Sequence, residues 1–121
     1  MLARVLLAPT PRPMTGPAEY TAEAPERADI ERWPGVSVLE FGTNWCGFCS
    51  AAQSVIRAGL GTESALKHVK VEDGPGRRLG RSFQIKLWPT LVFLRDGREV
   101  ARVVRPAHAD EVKAALARAQ L

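Results

Sequence analysis

Cysteine is scarce in this chain of 121 residues: there are two, Cys46 and Cys49, three positions apart. Small secreted scaffolds that rely on cross-links carry more, so a disulfide-stapled fold is excluded and the cytoplasm is the expected location. Long apolar runs are missing as well. No stretch approaches the ~20 apolar residues that a helix needs to cross a bilayer. The apolar start Val5-Leu6-Leu7-Ala8 stops at Pro9, too short for a secretory leader. A soluble protein with no membrane partner is expected. Aromatics make up 7% of the chain and are not interleaved with the basic residues Arg77, Arg78, Arg81, Arg95, Arg98, Arg102 and Arg105. The net charge of +4 is therefore expected to be a solvated arginine-rich face, not a base-stacking groove for nucleic acid. The two histidines, His68 and His108, stand at no recognisable ligand spacing from the cysteines and are expected at the surface.

What is present suits one compact domain, with 45% hydrophobic residues and length enough for a single core. Prolines at 9, 11, 13, 17 and 25, with little apolar periodicity between them, mark residues 1–25 as an extended or disordered leader, and Met14 offers an alternative start. The folded domain is expected over 26–121. Ile30 and Trp33 suggest a short helix stopped by Pro34-Gly35. Residues 36–41 are almost continuously apolar, as in a central strand covered on both faces. Ala52, Val55, Ile56 and Leu60 give residues 46–60 one apolar helical face. Val69 and Val71 alternate through a strand at 68–72, and Leu79 and Phe83 mark a short helix. The apolar runs 90–94 and 99–104 flank Asp96-Gly97, a hairpin signal. Val112, Ala115, Leu116 and Ala119 then share a face of the last helix. This order predicts an α/β fold with a central mixed sheet flanked by helices.

The segment Trp45-Cys46-Gly47-Phe48-Cys49 sits where the buried strand gives way to a helix. Unpaired N–H groups of the first turn and the positive end of the helix dipole favour a thiolate at Cys46, which makes it the nucleophile. Cys49, one turn further in and less exposed, is placed to attack a mixed disulfide on Cys46 and release the reduced product. Gly47 lets a substrate backbone come close, and equally serves as a turn glycine. Glu40 interrupts the apolar run. A charge buried there needs a raised pKa or a cationic partner; the alternative is a carboxylate that faces solvent at a strand edge. Two further readings come from other classes: a dimer in which the four thiolates of two chains hold a metal ion or an iron–sulfur cluster, and a binding scaffold without catalysis.

The run Leu39-Glu40-Phe41-Gly42-Thr43-Asn44-Trp45-Cys46-Gly47-Phe48-Cys49 resembles the active-site segment of thioredoxins. Trp88-Pro89-Thr90-Leu91, about forty residues later, resembles the cis-proline loop that faces the cysteines in that family. Arg95-Asp96-Gly97, with the following strand and helix, resembles its C-terminal hairpin. The resemblance covers residues 30–121. It implies a thioredoxin-like fold, no cofactor beyond the Cys46–Cys49 pair, protein disulfides as substrates, thioredoxin reductase as electron donor, and a monomer. Residue by residue, it implies that Glu40 accepts or relays the proton of the resolving cysteine and that Lys70 pairs with this acid. It further implies a cis bond before Pro89 that leaves the backbone of Trp88 open to a bound peptide, with Trp45, Gly47 and Phe48 lining the binding surface. There are departures. Glutamate stands at 40 where most thioredoxins have aspartate, Gly-Phe replaces Gly-Pro between the cysteines, and Arg105 replaces a glycine beside the groove. The Gly-Phe pair leaves the direction open between a reductase and a disulfide oxidase or isomerase.

Overall fold

The computed structural model describes residues 19–61 and 66–121. The first eighteen residues, with Met14 and most of the expected leader, lie outside the described residues. The elements run α1 (Arg27–Ile30), β1 (Val36–Gly42), α2 (Gly47–Leu60), β2 (Lys67–Glu72), α3 (Arg78–Ser82), β3 (Thr90–Arg95), β4 (Arg98–Val104) and α4 (Ala109–Ala119). They build a four-stranded sheet in the order β2-β1-β3-β4. β1 pairs with β2 in parallel and with β3 antiparallel, and β3 pairs antiparallel with β4. The mixed sheet expected from the element order is the one observed.

Two apolar layers explain why β1 and β3 are apolar at nearly every position. Val38, Leu91 and Phe93 point to one face and pack with Ala52, Ile56 and Leu60 of α2 and with Val112, Ala115, Leu116 and Ala119 of α4. Their neighbours Leu39, Phe41, Val92 and Leu94 point to the other and pack with Ile30, Val71, Leu79 and Phe83. Successive residues of a strand face opposite sides, so a strand sandwiched between two helical layers has no solvent face to leave polar. Each fully buried Phe, Leu or Val here contributes roughly 1.5–3 kcal/mol relative to exposure. The β3–β4 turn uses positive φ at Asp96 (51°) and Gly97 (81°), the pairing that matches the twist of a two-residue hairpin. A Cβ at 97 would also lie 2.5 Å from the Glu31 carbonyl oxygen, so glycine is required there twice over.

The domain starts earlier than the proline pattern suggested. Thr21 forms a parallel bridge with Val71, its N–H donates to the Lys70 carbonyl (3.3 Å), and its own carbonyl accepts from Glu72 N–H (2.9 Å). Outer edges of sheets leave backbone groups unpaired, and this segment covers part of the β2 edge. Tyr20 is buried beside it, 5% exposed. Residues 20 and 21, assigned from sequence to the leader, thus pack as part of the domain.

Candidate active site

The C-terminal end of β1 and the first turn of α2 bring the two cysteines to one edge of the sheet. Cys46 is the N-cap of α2, and its sulfur accepts the Cys49 N–H at 3.2 Å, so one of the free donors of the helix start points at this thiol. Cys46 is partly exposed and Cys49 is 1% exposed. Trp45 and Phe48 stand out beside them, 72% and 59% exposed. A Cβ at Gly47 would meet nothing within 4 Å, so internal packing does not demand the glycine. Gly42 is the opposite case. A Cβ there would fall 2.6 Å from Cys49 Sγ and 2.8 Å from Tyr20 Cζ, so the missing side chain is what lets the thiol and the phenol settle over the strand. Burial first, then the neighbouring Cys46, pushes the Cys49 thiol up to about 11, with the Thr43 backbone N–H and the Tyr20 hydroxyl pulling the other way.

Behind Cys49 lies a polar cluster in an otherwise apolar layer. Glu40 is fully buried, which removes the solvent-facing alternative. Its Oε1 accepts from His68 Nε2 at 2.8 Å; its Oε2 accepts from Gln53 Nε2 at 2.9 Å and from the Tyr20 hydroxyl. Burial by itself raises the pKa of such a carboxyl, but the hydrogen bond and charge of His68, followed by the bonds from Gln53 and Tyr20, outweigh it and hold Glu40 below its ordinary value. Glu40 is therefore a carboxylate at neutral pH. Lys70 joins through the amide: its Nζ donates to Gln53 Oε1 at 2.8 Å and lies 4.5 Å from the centre of the Tyr20 ring.

His68 corrects the sequence reading. It was expected at the surface, yet its side chain is 6% exposed and bonds the buried acid directly. The cause is register. Parallel pairing sets His68 beside Val38 and Lys70 beside Glu40, so the polar face of β2 is turned toward α2 instead of toward water. Gln53 and Tyr20 were also missed. Gln53 stands four residues after Cys49 on the buried side of α2, a polar residue at apolar spacing, and that was a usable signal. Tyr20 had none, because it lies among prolines with no periodicity. Its position comes from Asn44, whose Oδ1 accepts the Tyr20 N–H (2.9 Å) and whose Nδ2 donates to the Tyr20 carbonyl (3.0 Å).

The second loop reaches the same edge. Thr90 pairs with Phe41, so Trp88 and Pro89 lie beyond the end of β1 beside the cysteine turn, and the bond between them is cis. Trp88 Nε1 donates to Asp73 Oδ2 at 2.9 Å. Arg105 ties the two loops together: its Nε donates to the Trp88 carbonyl at 2.7 Å, and its guanidinium carbon lies 3.8 Å from the centre of the Phe48 ring. Arg105 adopts a positive φ of 48°, a conformation that favours glycine. His108 is exposed at the start of α4. Among the described residues, no group of three or more His, Cys, Asp or Glu is placed to hold a metal ion. None of the helices among them is long and apolar enough to cross a membrane.

Comparison with known proteins agrees with this geometry. The family model described as Thioredoxin matches residues 22–118. The chain is similar to thioredoxin 2 of Pseudomonas aeruginosa PAO1, solved in its reduced form, at 58% identity over 81% of this chain and 91% of that one, with a TM-score of 0.72. It is 34% identical over 73 residues to a thioredoxin of Chlamydia trachomatis, covering 58% of this chain and 69% of the relative. It is 30% identical over 67 residues to thioredoxin H2-1 of Oryza sativa, covering 55% and 49%. The matches span about half to three fifths of the length of several such curated relatives. A family match that runs from residue 22, just after the bridge to the β2 edge, to the last helix, over a fold and a cysteine turn of the same kind, leaves one conclusion: the chain belongs to the thioredoxin family.

Proposed function

We propose that this protein is a thiol–disulfide oxidoreductase that reduces protein disulfides at Cys46 and Cys49, without a cofactor. The observation that carries the reading is the asymmetry of the two thiols. Cys46 is accessible and accepts a helix-start N–H, while Cys49 is buried, held as a thiol, and adjacent to an ionised carboxylate cluster. Cys46 attacks the substrate disulfide and forms a mixed disulfide. Cys49 then attacks Cys46 Sγ, and the substrate leaves reduced. Glu40 takes the proton that Cys49 must lose, with Lys70 holding the cluster through Gln53.

The peptide docks on the exposed rings of Trp45 and Phe48 and on the backbone of Trp88 before cis Pro89, with Gly47 leaving room for its main chain. Thioredoxin reductase is the proposed electron donor, and the protein works as a monomer in the cytoplasm. Equilibrating the Cys46–Cys49 couple with glutathione buffers tests direction. A potential near ~−270 mV supports the reductase, whereas one near ~−120 to −180 mV replaces it with an oxidase or isomerase. A protein that does not cycle overturns the exchange reading.

A further inference from the structure

The buried phenol of Tyr20 is used by nothing in the scheme so far, yet it sits between the group that must lose a proton and the group that accepts it. Its hydroxyl donates to Glu40 Oε2, and its ring lies beside the Cys49 sulfur over Gly42. The close approach of both at Gly42 fixes this geometry: Cys49 Sγ and Tyr20 Cζ each lie within 3 Å of the place where a Cβ of residue 42 would be. Cys46 and the Thr43 N–H also meet the Cys49 sulfur, and neither leads to a carboxylate. Glu40 also accepts from His68 and the Gln53 amide, and the contact of Gln53 with Cys49 is to its carbonyl oxygen (2.9 Å). The phenol thus offers a path from thiol to acid.

We propose that the Tyr20 hydroxyl is the relay that carries the Cys49 proton to Glu40 while the mixed disulfide is resolved. The inference rests on the exchange reading above. In the step, the Cys49 thiol passes its proton to the Tyr20 oxygen as the Tyr20 proton moves to Glu40 Oε2. The Cys49 sulfur forms a bond to Cys46 Sγ, the bond from Cys46 to the substrate sulfur breaks, and the substrate leaves as a thiolate. The dithiol is oxidised, the substrate is reduced, Tyr20 is neutral before and after, and Glu40 ends as the acid. Burial, followed by the Glu40 charge, holds the Tyr20 pKa far above its ordinary value, so the phenol hands a proton on without resting as a phenolate. The groups that face the relay are Glu40 on β1, His68 and Lys70 on β2, Cys46 and Cys49 at the start of α2, and Glu19 at the rim of the same cleft. That cleft, about 230 Å³, is the competing route, by which water would take the proton instead.

The experiment uses the full chain and an aromatic disulfide with a chromogenic thiol, followed by stopped flow. Release of the first thiol reports attack by Cys46, and release of the second reports resolution by Cys49. Tyr20→Phe is expected to slow the second step by roughly 100-fold or more at neutral pH, the range of a lost proton-transfer group, and to leave the first unchanged. The rate should recover as pH rises toward the ionisation of Cys49 itself. Glu40→Gln should slow the second step to a similar degree, and the double variant by no more than the slower single one, because the two groups act in one path. A second step in Tyr20→Phe with the wild-type rate and pH profile overturns the relay in favour of water. Effects of the two variants that multiply overturn it as well. A wild-type protein that releases no first thiol refutes the exchange reading instead. If Tyr20→Phe does not fold, 3-fluorotyrosine enters at position 20 alone, since the chain has one tyrosine. Its fluorine signal must move when the mixed disulfide is resolved, and a signal indifferent to that step overturns the proposal.

Discussion

Replacing His68 with leucine tests whether the buried carboxylate is held as a charge by its partners. The substitution keeps the bulk of the side chain and removes the Nε2 donor that lies 2.8 Å from Glu40 Oε1. Breaking a buried pair on one side costs about 3–5 kcal/mol. Gln53 and the Tyr20 hydroxyl still hold Oε2, so the loss belongs at or just below the low end, about 2–3 kcal/mol, in the range for one hydrogen bond to a charged group. At a urea slope of roughly 1–3 kcal/mol per molar, the unfolding midpoint falls by about 0.7–3 M at neutral pH.

The loss has a pH signature. In the wild type the folded pKa of Glu40 lies below its unfolded value, so its stabilisation is fully present above the unfolded pKa of ~4.3 and is lost as pH falls through the folded value. Without His68, the two largest lowering contributions are gone while burial still raises, so the folded pKa rises. The stabilisation that the charge supplies near neutral pH shrinks accordingly. The gap between variant and wild type is widest near pH 7 and narrows toward pH 4. In a Glu40→Gln background the same His68→Leu substitution costs only about 1 kcal/mol, since a neutral acceptor is cheaper to leave unpaired than a charged one. Urea curves of the four proteins at pH 7 and pH 4 check this. A loss of the same size at both pH values, or in both backgrounds, refutes the reasoning.

Other substitutions read other parts of the site. Gly42→Ala forces a methyl into space shared by Cys49 Sγ and Tyr20, and lowers stability by about 1–3 kcal/mol, seen as a drop in thermal midpoint. Cys49→Ser leaves a long-lived mixed disulfide between Cys46 and a peptide thiol, found by intact mass, whereas Cys46→Ser forms none. Since the folded pKa of Cys49 lies near 11, above the ordinary 9.0, the stability of the reduced protein is complete below pH 9 and declines as pH rises toward 11; the oxidised protein shows no such decline from Cys49. Arg105→Gly frees the Trp88 carbonyl and the Phe48 ring, and lowers KM for an uncharged peptide disulfide by roughly 3- to 10-fold, the worth of about one competing hydrogen bond.

The parts of this molecule that were legible in the sequence are those whose signals are local. The apolar run ahead of the cysteines, the Asp96-Gly97 turn and the spacing of Val112, Ala115, Leu116 and Ala119 each specify an element by periodicity or turn chemistry, and the elements observed follow them. Glu40 announced itself because a carboxylate among Val38, Leu39 and Phe41 has nowhere inexpensive to go. Its partners did not, because they are set by register and by chain entry. His68 alternates with Val69 like any solvent-facing residue, and only the overhang of α2 makes that face an interior. Tyr20 sits in a stretch whose composition speaks for disorder, and long-range pairing with Asn44 and Lys70 overrides that tendency. Arg105 was visible as a departure, but its grip on Trp88 depends on a left-handed backbone that sequence alone did not suggest for arginine.

The attachment of Thr21 to the edge of β2 sets where the smallest working unit of this protein ends. The family match begins at residue 22, so a fragment trimmed to it would keep both cysteines, the acid and the cis proline, and would lose the phenol and the backbone that Asn44 grips. On the relay proposed above, such a fragment would still attack a disulfide and would resolve the mixed disulfide more slowly. The same attachment would make the segment before α1 a handle on the dithiol. Cleavage ahead of Thr21, or a partner that peels residues 19–21 away, would slow turnover without touching either sulfur.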